Sequence, residues 1–226
     1  ISESVQGVGG TIPMPKGYLQ QVKEAVSGGG GVYIADEVQT GFGRLGTHFW
    51  GFEKHGVKPD IVTMAKGIGN GTPLAAVVTT KEIAKSMHAT GKVFFNTYGG
   101  NPVSMAIGRA TLKVIKEEGI QENAKKIGDH FLKGMNKLKK KFEQVGDVRG
   151  EGLMLGMELV KSKKAKEPNP ELLAQVFEDC KNMGCLLGKG GLHGNVFRIK
   201  PPMCLTKEDV DFTIACLNKA LTTATK

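Results

Sequence analysis

No apolar stretch among the 226 residues approaches the roughly 20 consecutive residues a helix needs to cross a bilayer, so no membrane partner is expected. Cysteine is sparse: Cys180, Cys185, Cys204 and Cys216 all fall in the last quarter, and none forms a CxxC or a Cys/His ligand spacing. No metal site is expected from them, and they read as buried or free thiols in a reducing compartment. Glycine is frequent, at 32 residues, but without a fixed period, which excludes collagen-like and low-complexity chains. An initiating Met is absent. The chain opens at Ile1 with ISESVQGVGG, which lacks the character of a signal peptide, and an upstream part of the protein is expected.

What is present is a globular composition, 40% hydrophobic and 23% charged, enough for one large domain or two modest ones. The formal charge of +9 permits anionic partners. Its densest run, Lys137 with Lys139, Lys140 and Lys141, shares a helical pattern with Ile127, Phe131, Met135, Leu138 and Phe142. That spacing places the lysines largely on a solvated face. With no recognition motif and no interleaved aromatics, no nucleic-acid partner is expected.

The first half alternates strands and helices. The apolar run Val32–Ala35 ends at Asp36-Glu37, a second run from Ile61 to Ala65 ends at Lys66, and a third spans Ala75 to Val78. Short β-branched runs separated by loops or helical stretches predict an α/β architecture with a mainly parallel sheet. Asn101-Pro102 is a helix start, because Asn caps free N–H groups and Pro fits the first turn; Gly119 offers a stop. The expected division is residues 1–118 as part of a large domain and residues 119–226 as a smaller α+β domain. The second is expected to hold the basic helix, a strand pair around Val145–Val160, and a helix carrying Leu172 to Cys180. Strands near Cys185–Leu187 and Val196–Ile199 follow, then a final helix opened by a Thr206/Asp209 capping box. The charged, Pro-containing segment 161–170 reads as an exposed loop.

In a parallel sheet, Asp36 and Lys66 would both present at the carboxyl edge, where α/β folds bind ligands. From these two residues alone, a simple ion pair is the preferred reading over a site. Arg198 has the alternative of a surface strand arginine, and Thr97 by itself reads as a hydroxyl in a turn.

The stretch YIADEVQTGFGRLG followed by DIVTMAKGIGNG resembles the signature of the class III pyridoxal-phosphate (PLP) aminotransferases. FNTYGGNPVS, VRGEGLMLGMEL and FRIKPPMCLT resemble further blocks of that family, so the likeness covers nearly the whole chain. It implies the large-domain portion of a fold type I PLP-dependent transferase, followed by the small C-terminal domain. It also implies an enzyme moving an amino group from an amino acid such as alanine to a 2-oxo acid such as glyoxylate, and a mitochondrial location. A phospholyase acting on a phosphorylated amine belongs to the same family and is the alternative. A truncated, non-catalytic chain is the third reading.

Position by position, the resemblance makes Lys66 the lysine that holds PLP and moves the substrate proton, and Asp36 the carboxylate that keeps the pyridine nitrogen protonated. Gln39 contacts the ring hydroxyl and Val38 packs on one ring face. Thr97 contacts the phosphate of the neighbouring subunit, which implies a homodimer or higher homo-oligomer. Arg198 receives the substrate carboxylate, for which a guanidinium fork is well shaped. Arg44 and Arg149 are expected to be structural. Two positions depart from the family pattern. Val8 stands where some members carry a glutamate that pairs with the carboxylate-binding arginine, so an ornithine- or 4-aminobutyrate-type switch is not expected. Ser4 stands where Pro is usual. The family's Gly/Ser phosphate turn and ring-stacking aromatic belong upstream, so this chain alone is expected to have an incomplete phosphate site.

Overall fold

The computed structural model of the protein describes residues 1–225. In chain order the strands are β1 (Ser2–Glu3), β2 (Val5–Gln6), β3 (Ile12–Pro13), β4 (Ile34–Asp36), β5 (Ile61–Met64), β6 (Ala76–Thr79), β7 (Val145–Glu151), β8 (Met154–Leu159), β9 (Gly188–Gly190) and β10 (Val196–Ile199). The helices are α1 (Tyr18–Gly28), α2 (Lys81–Ala89), α3 (Pro102–Glu117), α4 (Ile120–Lys141), α5 (Pro170–Asn182) and α6 (Lys207–Ala224). None is long and apolar enough to cross a membrane.

The chain forms two compact units, and both are discontinuous. The first comprises Ile1–Ser4, Met14–Gly43 and His48–Gly119; the second comprises Val5–Pro13, Arg44–Thr47 and Ile120–Lys226. The main break in sequence falls between Gly119 and Ile120, but two short early segments fold with the later half.

The first unit is built on a sheet of order β1-β4-β5-β6. The pairs β1/β4 and β4/β5 are parallel, and β6 returns antiparallel to β5. Leu19 of α1 is buried with Tyr33, Ala35 and Val57, which fixes α1 against β4. Asp60 ties the strand entry down: it accepts the Tyr33 N–H at 2.7 Å and the Lys23 ammonium at 2.6 Å. Both bonds favour its charged form, holding its carboxyl below the ordinary value. The Asn101 side chain caps α3 by accepting the Ser104 N–H at 2.9 Å, with Pro102 in the first turn.

The second unit is an antiparallel sheet of order β7-β8-β10-β9 with α4, α5 and α6 packed on one face. Leu155, Met157 and Leu159 of β8 and Phe197 and Ile199 of β10 meet Phe131, Met135, Leu173, Val176 and Leu217 of the helices. Each fully buried side chain of this size contributes roughly 1.5–3 kcal/mol. The lysines at 137, 140 and 141 lie exposed, and Lys141 donates to Asn218 of α6 at 2.7 Å. Cys180, Cys185 and Cys216 are buried and free, and Cys204 is exposed. Burial pushes the Cys180 thiol up to about 12. The Thr206/Asp209 capping box opens α6.

Part of the opposite face of this sheet, around Arg149, Gly156 and Val196, is covered by the segment Val5–Pro13. Arg149 of β7 donates from Nε to the carbonyls of Gly10 and Thr11, both at 3.1 Å, and from Nη1 to Asp147 and Glu158. Arg44 likewise donates to the carbonyls of Leu153 and Pro201, both at 3.0 Å. One expectation shifts: the strand placed at Cys185–Leu187 lies instead at Gly188–Gly190. Pairing with β10, rather than the local apolar residues, decides where it forms.

Candidate functional site

The carboxyl edge of β4 and β5 carries Asp36 and Lys66, with Val38 and Gln39 in the chain leaving β4. Asp36 is the last residue of β4 and stands in register with Thr63, so the chain leaving β5 reaches Lys66 three residues later on the same edge. The ladder extends one residue further, because the Glu37 N–H donates to the Thr63 carbonyl at 2.9 Å. Asp36 is half-buried. Its Oδ1 accepts the Val38 N–H at 3.1 Å, which ties that oxygen to the start of the following loop. Oδ2 has no hydrogen-bond partner among the described residues.

Lys66 is exposed and opens a short 3-10 helix, Lys66–Gly69. Its φ of 48° is left-handed, a conformation that costs a residue with a Cβ about 1–2 kcal/mol. The Asn70 N–H bonds back to the Lys66 carbonyl at 3.2 Å, closing the short turn that follows, and a Cβ at Gly67 would approach Phe42 to 3.3 Å. The Lys66 ammonium has no ion-pair partner among the described residues. The ion pair with Asp36 that the sequence left open is therefore not formed.

Glu37, beside Asp36, is the residue whose role the sequence did not disclose. It is 1% exposed. Its carboxylate accepts the Thr40 hydroxyl at 2.7 Å and the N–H groups of Gly51 and Phe52, both at 2.9 Å. Burial raises its pKa above the ordinary value against the opposing effect of these donors, and the Asp36 charge adds to the rise. The signal was available: a second carboxylate at the end of an apolar run must be either a ligand or a satisfied buried anchor. Glu37 is the anchor. It folds residues 38–52 back on themselves, with Phe42, Phe49 and Trp50 in edge-to-face contact at 5.0–5.9 Å.

Val38 and Gln39 begin this loop and are half-buried, with the Gln39 amide 3.5 Å from the Glu3 carboxylate. Thr97 is exposed in the turn before α3, where the neighbouring Tyr98 N–H donates to Asn96 Oδ1 at 3.1 Å. None of the hydrogen bonds of the described residues joins Thr97 to Asp36 or Lys66. Arg198 belongs to the second unit, on β10. Its Nε is buried without a hydrogen-bond partner, and no carboxylate of the described residues pairs with its guanidinium. A buried unsatisfied donor costs about 1–3 kcal/mol.

A primary amine and a carboxylate with one open oxygen, on neighbouring parallel strand ends, suit the aldehyde and ring-nitrogen ends of a pyridoxal ring. The fold around them is that of the PLP-dependent fold type I transferases: a phospholyase from Arthrobacter, solved with phosphoethanolamine, matches with a TM-score of 0.92 at 36% identity, over 98% of this chain and 52% of its own. An aminotransferase of Bacillus anthracis matches with a TM-score of 0.92 at 34% identity, over 98% of this chain and 51% of its own.

The chain belongs to the class III aminotransferases, whose family model matches residues 1–221. It is 56% identical over 222 residues to mitochondrial alanine–glyoxylate aminotransferase 2 of Homo sapiens, covering 98% of this chain and 43% of that protein. It thus spans less than half the length of that relative.

Proposed function

We propose that the protein carrying this chain is a PLP-dependent aminotransferase that takes the amino group of alanine, or a similar amino acid, and gives it to glyoxylate or a similar 2-oxo acid. The observation that carries the chemistry is the placement of Lys66 and Asp36 at adjacent parallel strand ends, unpaired with each other. PLP, when bound, supplies a sink for the electron pair left on the substrate Cα after proton loss. Lys66 holds the cofactor, then as a free amine carries the proton removed from Cα. Asp36 keeps the pyridine nitrogen protonated through its open oxygen. Gln39 serves the ring hydroxyl and Val38 one ring face. Thr97 reaches the phosphate held by a second subunit, which makes the protein a homodimer or a higher homo-oligomer. A mitochondrial location follows the human relative's name.

Arg198 supports the substrate class. An amino acid and an oxo acid share a carboxylate beside the reacting carbon, and a guanidinium with no protein anion on it is suited to receive that group. The second reading, a phospholyase, is favoured by the likeness to the Arthrobacter enzyme. Its substrate would be gripped mainly through phosphate. The deciding experiment measures alanine–glyoxylate transamination beside phosphate release from phosphoethanolamine, in wild type and Arg198→Lys. On the aminotransferase reading, the change lowers kcat/KM for alanine by about tenfold to a hundredfold, with the cofactor spectrum intact. Phosphate release that survives the change, without wild-type transamination, would establish the second reading.

A further inference from the structure

Resting on the reading of Arg198 as the carboxylate receptor, we propose that Gly190 is a specificity-determining positioning residue: its missing side chain leaves the shelf on which the Arg198 guanidinium lies. On β10, Phe197 and Ile199 face the helices, so Arg198 and Val196 project from the opposite face of the sheet. A strand arginine ordinarily stands among the side chains of its cross-strand neighbours. Here those neighbours are glycines. Gly156 of β8 and Gly188 of β9 stand directly opposite Arg198, and Gly190 is two residues along β9 on the same face.

The side chain lies over Gly190. A Cβ built there would sit 2.8 Å from Arg198 Cδ and 3.2 Å from both Nε and Nη1. The backbone does not need glycine at this position. Gly191 and Gly194, at φ 88° and 65°, make the turn of the β9–β10 hairpin, whereas Gly190 is not in the left-handed region. What Gly190 supplies is room. Gly188 differs, because a Cβ there would meet the Arg198 carbonyl at 2.7 Å, so that glycine serves the strand pairing itself.

A methyl group at 190 therefore displaces only flexible side-chain atoms. It lifts the guanidinium off β9 while leaving the fold in place. A displacement of about an ångström at a group that orients the substrate can cost up to about a hundredfold. The loss should fall on substrates that carry the carboxylate and spare those that do not.

The test uses the whole protein loaded with PLP and follows the cofactor absorbance through the amino-donor half-reaction, with alanine and with alaninamide, whose amide replaces the carboxylate. Gly190→Ala is expected to lower kcat/KM for alanine about tenfold or more, mainly through KM, and to change alaninamide less than about threefold, with the melting temperature held. In an Arg198→Lys background, the same glycine change is expected to have little further effect. Equal losses for both donors, or none for alanine, would overturn the proposal. So would misfolding that Arg198→Lys does not relieve. If wild type fails to prefer alanine over alaninamide, the Arg198 reading itself has failed. The shelf is then judged by a crystal structure of Gly190→Ala, in which an unmoved guanidinium refutes it and a displaced one supports it.

Discussion

Glu37 and Thr40 form a buried hydrogen bond of 2.7 Å, and the same carboxylate holds the N–H groups of Gly51 and Phe52. Removing the acceptor leaves two buried donors and one half-buried donor without a partner. Glu37→Ala should cost about 3 kcal/mol, and Glu37→Gln about 1–2 kcal/mol, seen as lowered melting temperatures. The pH dependence has a defined sign. The folded-state pKa is raised, so the folded protein retains this proton at a pH where the unfolded chain has lost it. Glu37 thus makes wild type lose stability as pH rises from the ordinary carboxylate value through the raised one. Melts of Glu37→Gln across that window should lack this slope; an unchanged slope would assign it to another group.

Two glycines of α4 separate backbone from side-chain crowding. A Cβ at Gly128 would lie 2.1 Å from the Gly152 carbonyl oxygen, and one at Gly134 would lie 2.8 Å from Ile214 Cγ1. Both substitutions gain about 1 kcal/mol of helix propensity. Gly128→Ala must move backbone and should cost about 3 kcal/mol net, whereas Gly134→Ala needs a rotamer change and should be near neutral. Thermal melts that rank the two variants the other way would contradict the packing of α4 on the β7–β8 turn.

Asp36→Asn keeps an oxygen for the Val38 N–H, so the melting temperature should change little. Turnover should fall about a hundredfold or more, because an amide does not hold a proton on the pyridine nitrogen. Stopped-flow measurement of α-proton loss from deuterated alanine checks this. Wild-type rates would make Asp36 a structural residue.

The features legible in the sequence were local ones. Asn101-Pro102 and Thr206 with Asp209 announced α3 and α6, because a cap is a contact over three residues. Asp36 and Lys66 were readable as ends of apolar runs. The capture of Val5–Pro13 by the second unit was not, since it rests on Arg149 reaching carbonyls more than a hundred residues away in sequence. Nor was β9, a Gly-Lys-Gly strand of low intrinsic propensity that exists by pairing with β10. The same long-range pairing hid the glycines around Arg198, although the arginine itself stood in a recognisable block. Ser4, where the family usually has Pro, is buried with its hydroxyl unpartnered, and nothing in the structure explains the choice.

The central claim is that Lys66 is the residue that holds PLP. It is tested by reducing the PLP-loaded whole protein with borohydride and mapping the pyridoxyl group by peptide mass spectrometry. The label is expected on Lys66, and Lys66→Ala is expected to lose both the label and the visible absorbance of the bound cofactor. A pyridoxyl group mapped to any other lysine in the wild type, or a reducible adduct that persists in Lys66→Ala, would contradict it.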